Sequence, residues 1–354
     1  MLRRRLPGVM IGRLLSNPYW SAARVGGSSY LWRRLVSSLA FLVLLSQVTA
    51  IQAKESRICP PKPLASIDLT VDGPVLVPVT LQGQPAWMIL QTEASVTLIY
   101  SNAADALHLS TRSIEKDNFE LSLGGRRVTQ LASFKPLAIG DLPVSRTDFM
   151  VDPFPHDARM YAGRLIAGSL AMDLLWPYDV ELDLAHKKLV LYAASACGGR
   201  AIYWTDHHGQ MPMSFTAIGN VYFTAEIDGT KLETSIATSS DGSAMSVDVA
   251  RRLSQLEQQV TVPTGTTTSS IPADSLTRVI KLASGELVIP ETIHLISAPE
   301  GCVLGTSGSP DGALGYSGCY GRYPLVLGRD ALRKLHLYFS SKEKLIYFTP
   351  AEVQ

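Results

Sequence analysis

Two short polar loops hold the residues best placed to do chemistry. One reads Gln91-Thr92-Glu93-Ala94-Ser95, the other Ala237-Thr238-Ser239-Ser240-Asp241. Glu93 and Asp241 are the acids in them. Two carboxylates brought face to face can divide the work of hydrolysis. Mutual repulsion drives their pKa values apart, so one accepts a proton and the other donates it. Other combinations are weaker. Asp206-His207-His208 offers metal-binding side chains, but without the spacing that lets ligands converge on one ion, and it reads as a solvated loop. Gly301–Gly321 has the glycine content of a phosphate loop without its Gly-Lys-Ser/Thr ending, and reads as a surface loop. No local motif supports a Ser-His-Asp nucleophile, and no metal or cofactor is expected.

The two loops belong to a weak internal repeat. Val77-Pro-Val-Thr-Leu leads to the turn Gln82-Gly83, and Val221-Tyr-Phe-Thr-Ala-Glu-Ile leads to Asp228-Gly229. Both turns are good hairpin chemistry. A second strand follows in each copy, and its threonine lies nine residues after the glycine, at Thr92 and Thr238. Short helical segments come next, Ser101–Leu109 and Val247–Leu253. Both copies end alike: Leu165-Ile-Ala-Gly168 and Leu325-Val-Leu-Gly328 are buried runs closed by glycine. A helical turn or two follows each run, then a strand hairpin. Between these landmarks lie short strands broken by Gly and Pro, including 278–282 and 287–296. The Thr/Ser/Pro-rich stretch Thr261–Ser275 reads as a loop inside the second copy.

This layout resembles the aspartic proteases, in particular the retropepsin-like peptidases of bacterial secreted proteins, over about residues 66–193 and 210–350. The fold the resemblance implies is mainly β, with two β-barrel lobes related by a pseudo-twofold repeat and short helices. In that family each lobe carries hydrophobic-hydrophobic-Asp-Thr-Gly-Ala-Ser, and a later hydrophobic-hydrophobic-Gly supports the loop from behind. Here Gln91 and Ala237 stand at the aspartate positions, and Glu93 and Ser239 at the glycines. Gly168 and Gly328 match the supporting glycines. Thr92 and Thr238 match threonines that, in the family, hydrogen-bond between the lobes. An amide and a methyl group exchange no protons in a useful range, and each general acid–base contribution is typically worth ~10²–10⁴ in rate. The resemblance therefore implies a pseudoprotease, with Glu93 and Asp241 as the only candidates for a displaced acid pair. Otherwise both are solvated loop acids.

The remaining features concern location. Arg33-Arg34 precede an apolar stretch, 35–50, and small residues follow at Thr49-Ala50 and Gln52-Ala53, the plan of a secretory signal spanning 1–53. The stretch falls short of the roughly 20 apolar residues of a membrane span. Membrane contact is expected only if the signal stays uncleaved, with residues 35–50 as an inner-membrane anchor. The formal net charge of +1 is misleading: residues 1–53 hold seven arginines and no acid, which leaves 25 basic against 31 acidic residues, a net of −6. Such a body is not built to neutralise phosphates, so nucleic acid is not an expected partner. All four cysteines lie beyond the signal, and an even count after export favours disulfides. Cys302 and Cys319 are close in sequence and pair first, leaving Cys59 with Cys197.

The expected protein has a first lobe at 66–193, a linker at 194–209 and a second lobe at 210–351. It is periplasmic or secreted, and holds an extended peptide or protein segment in the cleft between its lobes. The rival expectations are an active aspartic endopeptidase with a displaced acid pair, and a structural cell-envelope protein.

Overall fold

The structure, a computed structural model, describes Cys59 and residues 61–114, 122–123, 126–154, 159–215, 220–254, 273–282, 287–296 and 324–351. The proposed signal and the Cys302–Cys319 pairing lie outside the described residues.

The described chain is mainly β. The first half contributes β1 (Pro63–Asp68), β2 (Leu76–Leu81), β3 (Gln84–Gln91), β4 (Leu98–Ile99), β5 (Gln130–Ser133), β6 (Asp148–Val151), β7 (Arg164–Ala171), β8 (Tyr178–Asp183) and β9 (Lys188–Ala193). The second half repeats them in order as β10 (Gly209–Pro212), β11 (Val221–Ile227), β12 (Thr230–Ile236), β13 (Ser243–Ser246), β14 (Ala273–Leu282), β15 (Leu287–Ile296), β16 (Leu325–Leu327), β17 (Leu335–Ser340) and β18 (Leu345–Pro350). The short strands Leu137–Ile139 and Leu142–Val144 pair with β2 and with each other, as the facing ends of β14 and β15 do with β11 and with each other. Three helices are labelled α1 (Ser101–Ala106), α2 (Val247–Ser254) and α3 (Arg329–Leu332). Strand β14 already begins at Ala273, so the loop reading of Thr261–Ser275 runs too far. Its ten-residue partner β15 carries the pairing back to Ala273↔Leu295, across an irregularity before Ser275.

The repeat extends to strand pairing. In the first half β2 pairs antiparallel with β3, β3 parallel with β7, β7 antiparallel with β4, β4 parallel with β6, and β6 antiparallel with β5. The second half makes the same contacts among β11, β12, β16, β13, β15 and β14. There a pairing of β11 with β14 closes a six-stranded barrel. Both β2–β3 and β11–β12 turn through two residues at positive φ, Gln82 (50°) with Gly83 (82°) and Asp228 (49°) with Gly229 (79°). That is the type I′ geometry whose twist suits a hairpin.

The terminal hairpins of the two halves leave their own barrels and meet. The order β1-β9-β8-β17-β18-β10 makes one six-stranded sheet from both halves. Its seam is the antiparallel β8–β17 pair, with Val180 opposite Phe339, Glu181 opposite Tyr338, Leu182 opposite Leu337 and Asp183 opposite His336. Lys187 and Lys344 hold matching turn positions at φ 56° and 55°. Glu181 and Tyr338 each lie six residues before them, so the local twofold axis passes through that pair. One face of this sheet packs on the main core, through Val180, Leu182, Leu337 and Phe339. Its other face carries a second cluster that includes Tyr192, Tyr338 and Tyr347, covered by Cys197, Ala201, Ile202 and Trp204 of the connection between the halves. Within that layer the fully buried Asp179 accepts from the Ser195 and Ser341 backbone N–H groups and hydroxyls and from the Tyr338 hydroxyl. A Cys59–Cys197 disulfide fastens the connection to the start of the described chain.

Candidate functional site

Strands β3 and β12 deliver the two polar loops to the middle of the molecule. Each runs parallel to the strand that contains, or leads directly into, a supporting glycine: Ser169 lies opposite Ile89, and Leu327 opposite Ile236. The glycines are needed for close approach. A Cβ on Gly168 would stand 2.0 Å from the Leu98 carbonyl oxygen, and one on Gly328 would stand 2.2 Å from that of Gly242. These distances admit hydrogen only. The backbone of β7 thus crosses directly behind β4, and the start of α3 directly behind the second loop.

A hydroxyl locks each crossing. Thr97 Oγ1 accepts the Ala171 N–H (3.0 Å) and donates to Asp173 (2.6 Å), whose other oxygen takes Arg146. Ser243 Oγ accepts the Gly328 N–H (3.1 Å) and donates to Glu291 (3.0 Å), whose other oxygen takes Lys334 (2.6 Å). Hydroxyl, carboxylate and cation recur in both halves, with only the hydroxyls at matching places in the repeat. The repeated turns and glycines gave no hint of them, because Asp173 and Glu291 come from different parts of their halves.

The loops meet through their threonines. Thr92 Oγ1 donates to the Ile236 carbonyl (3.0 Å), and Thr238 Oγ1 donates to the Leu90 carbonyl (2.6 Å). In return each hydroxyl accepts the other's backbone N–H, at 3.1 Å and 3.2 Å. Both threonines are buried. This symmetric grip stitches the two halves at a second point, remote in sequence from the shared sheet.

Around the grip the aspartate positions carry no acid. The Gln91 side chain is buried. Ala237 packs in an apolar cluster with Ala244, Ile296 and Val326. The glycine positions carry side chains that touch. The Ser239 hydroxyl donates to Glu93 Oε1 across the interface. Glu93 is only 5% exposed, and its Oε2 is buried without a partner. Burial pushes its carboxyl up to about 7, against the opposing pull of Ser239 and of backbone N–H groups at Thr238 and Ser239. The solvated-acid reading therefore fails for Glu93: a glycine on the opposite loop would have left it nothing to touch, but Ser239 receives it.

Asp241 stays half-exposed and pairs with Arg329. Arg329 is buried, gives Nη1 to the Thr238 carbonyl (3.1 Å) and leaves Nε unpartnered. Burial, then Arg333, lowers its guanidinium to about 10. Its backbone N–H also donates to the Ser240 carbonyl (2.9 Å). Arg329 is the residue that sequence reasoning missed. Its signal was the Gly-Arg-Asp that follows the second buried run, where the first run has Gly-Ser-Leu. Among the described residues no hydrogen bond joins Glu93 to Asp241, and each acid is engaged by its own partner.

The other candidates lie elsewhere. His208 packs edge-on against Tyr347 (5.5 Å, 71°) at the shared sheet, and His207 is exposed. Among the described residues no group of three His, Cys, Asp or Glu is arranged to hold a metal, and no helix is long and apolar enough to cross a membrane.

Two similar β halves, joined by a central sheet and a threonine grip, make up the described chain. Residues 77–174 match the family model described as aspartyl protease, which spans β2 through the turn after β7. Among solved structures, conglutin gamma, a basic 7S globulin from lupine seeds, is similar over 81% of this chain and 95% of its own, at 11% identity and a TM-score of 0.47. Basic 7S globulin from soybean is similar over 83% of this chain and 98% of its own, at 12% identity and a TM-score of 0.45. No curated protein matches the chain in sequence.

Proposed function

We propose that this chain is an exported aspartic-protease-like protein without peptidase activity, which holds an extended peptide or protein segment between its halves. One observation carries the reading: the grip of Thr92 and Thr238 is complete, while Gln91 and Ala237 stand where an acid pair would work. The family mechanism needs a base and an acid held at different pKa values. An amide and a methyl group supply neither. Holding a strand needs only backbone donors and acceptors with side-chain pockets, and the loss of the acids leaves that capacity in place. The Cys59–Cys197 disulfide supports an oxidising compartment.

The purified chain should leave unfolded casein intact between about pH 3 and 7, the range in which a carboxylate pair works, while a peptide array should retain defined extended sequences. A second reading has one observation in its favour, the buried Glu93 carboxyl with its raised pKa. Cleavage that vanishes in Glu93→Gln would install that reading and remove the first. An array that retains nothing would leave the structural, envelope-component reading standing.

A further inference from the structure

The Glu93–Ser239 contact does more than fill the space of two missing glycines. It is a hydrogen bond from one half to the other, laid over the threonine grip. Ser239 gives its proton to Oε1, and Oε2 has no hydrogen-bond partner among the described residues. While the carboxyl is neutral, Oε2 carries the proton and the arrangement is tolerable. Once ionised, a buried carboxylate oxygen without a donor costs far more than a neutral one.

The surroundings can be followed group by group. From the opposite loop, Glu93 faces the Ser239 hydroxyl and the backbone N–H groups of Thr238 and Ser239. From α3 it feels the Arg329 guanidinium, whose Nη atoms already serve the Thr238 carbonyl and Asp241. Asp330 and Arg333 act on Arg329. Among the described residues no carboxylate contributes to its shift, so its proton answers to burial and not to a partner acid. Burial raises the carboxyl to about 7, which places the change within an ordinary physiological range.

We propose that Glu93 is a proton-operated latch on the candidate site: closed against Ser239 while neutral, and opened to solvent or ligand when it ionises. This regulation rests on the peptide-holding reading, but its test does not need a ligand. Infrared difference spectra of the free mature protein should show a protonated carboxyl band at pH 5.5 that is absent in Glu93→Gln. Hydrogen exchange over Gln91–Ser95 and Ala237–Asp241, corrected for the intrinsic pH effect, should quicken at least tenfold between pH 6 and 8.5, a span that brackets the pKa. Glu93→Gln keeps an acceptor for Ser239 but cannot ionise, so its loops should stay slow across the range. A missing carboxyl band, or equal acceleration in parent and variant, overturns the latch. So does a parent that stays closed at pH 8.5, which would mean that Arg329 absorbs the charge. Failure of the peptide array would remove the ligand and leave these outcomes readable.

Discussion

At the scale of single residues, the site is a set of exchanges that compensate one another. A carboxyl moved two positions along the first loop finds a hydroxyl where the second loop would have had hydrogen. The consequence for stability has a definite sign. The folded chain holds the Glu93 proton to about pH 7, whereas a free glutamate releases it at 4.5. Between those values the folded state binds more protons than the unfolded one, so stability is full below about 4.5 and is lost as pH rises through 7. The shift corresponds to about 3 kcal/mol. Parent and Glu93→Gln should therefore run parallel below about pH 4.5, part between there and pH 7, and stay apart above it, the variant melting higher relative to its low-pH offset. A parent that gains on the variant as pH rises would reverse the assignment. Gln91 and Ala237 were legible as non-acids from their place in the repeat. The burial of Glu93 was not, because it depends on Ser239 lying opposite, and pairing between distant loops leaves no mark in local spacing.

At the scale of elements, the turns and glycines were the readable part. Gln82-Gly83 and Asp228-Gly229 announce their hairpins, since few other dipeptides accept positive φ twice. Gly168 and Gly328 announce close crossings. The hydroxyl–carboxylate–cation locks behind them were silent, as was the departure of the terminal hairpins into a common sheet, because an amphipathic hairpin shows that it has an apolar face and not whose core it covers. The crossing makes a sharp prediction. Gly328→Ala drives a methyl against backbone, which cannot swing away, and should cost about 3 kcal/mol, the upper end for overpacking. Gly229→Asn has open space around it and a residue type that tolerates positive φ, so it should cost about 1 kcal/mol or less. Denaturant melts of the two variants check the contrast, and equal losses would mean that the crossing relaxes.

At the scale of the whole molecule, the halves are joined by sheet and grip. The sheet seam says how the joining is specified. The twofold axis runs through Glu181 and Tyr338, so a first half paired with another first half would set Glu181 against Glu181. Like charges directly opposite on a strand pair are destabilising. In the intact chain Glu181 instead receives hydroxyls from Tyr192 and Tyr203 and the His336 ring nitrogen at 2.9 Å, the last supplied by the second half. A chain divided between the exposed Asp206 and His207 should yield fragments that assemble one to one when co-expressed, as native mass spectrometry would read. The first fragment alone should stay monomeric, and a stable homodimer of it would refute the charge argument. A symmetric fold built from two similar pieces thus selects unlike partners over like ones, and one glutamate on the axis makes the choice.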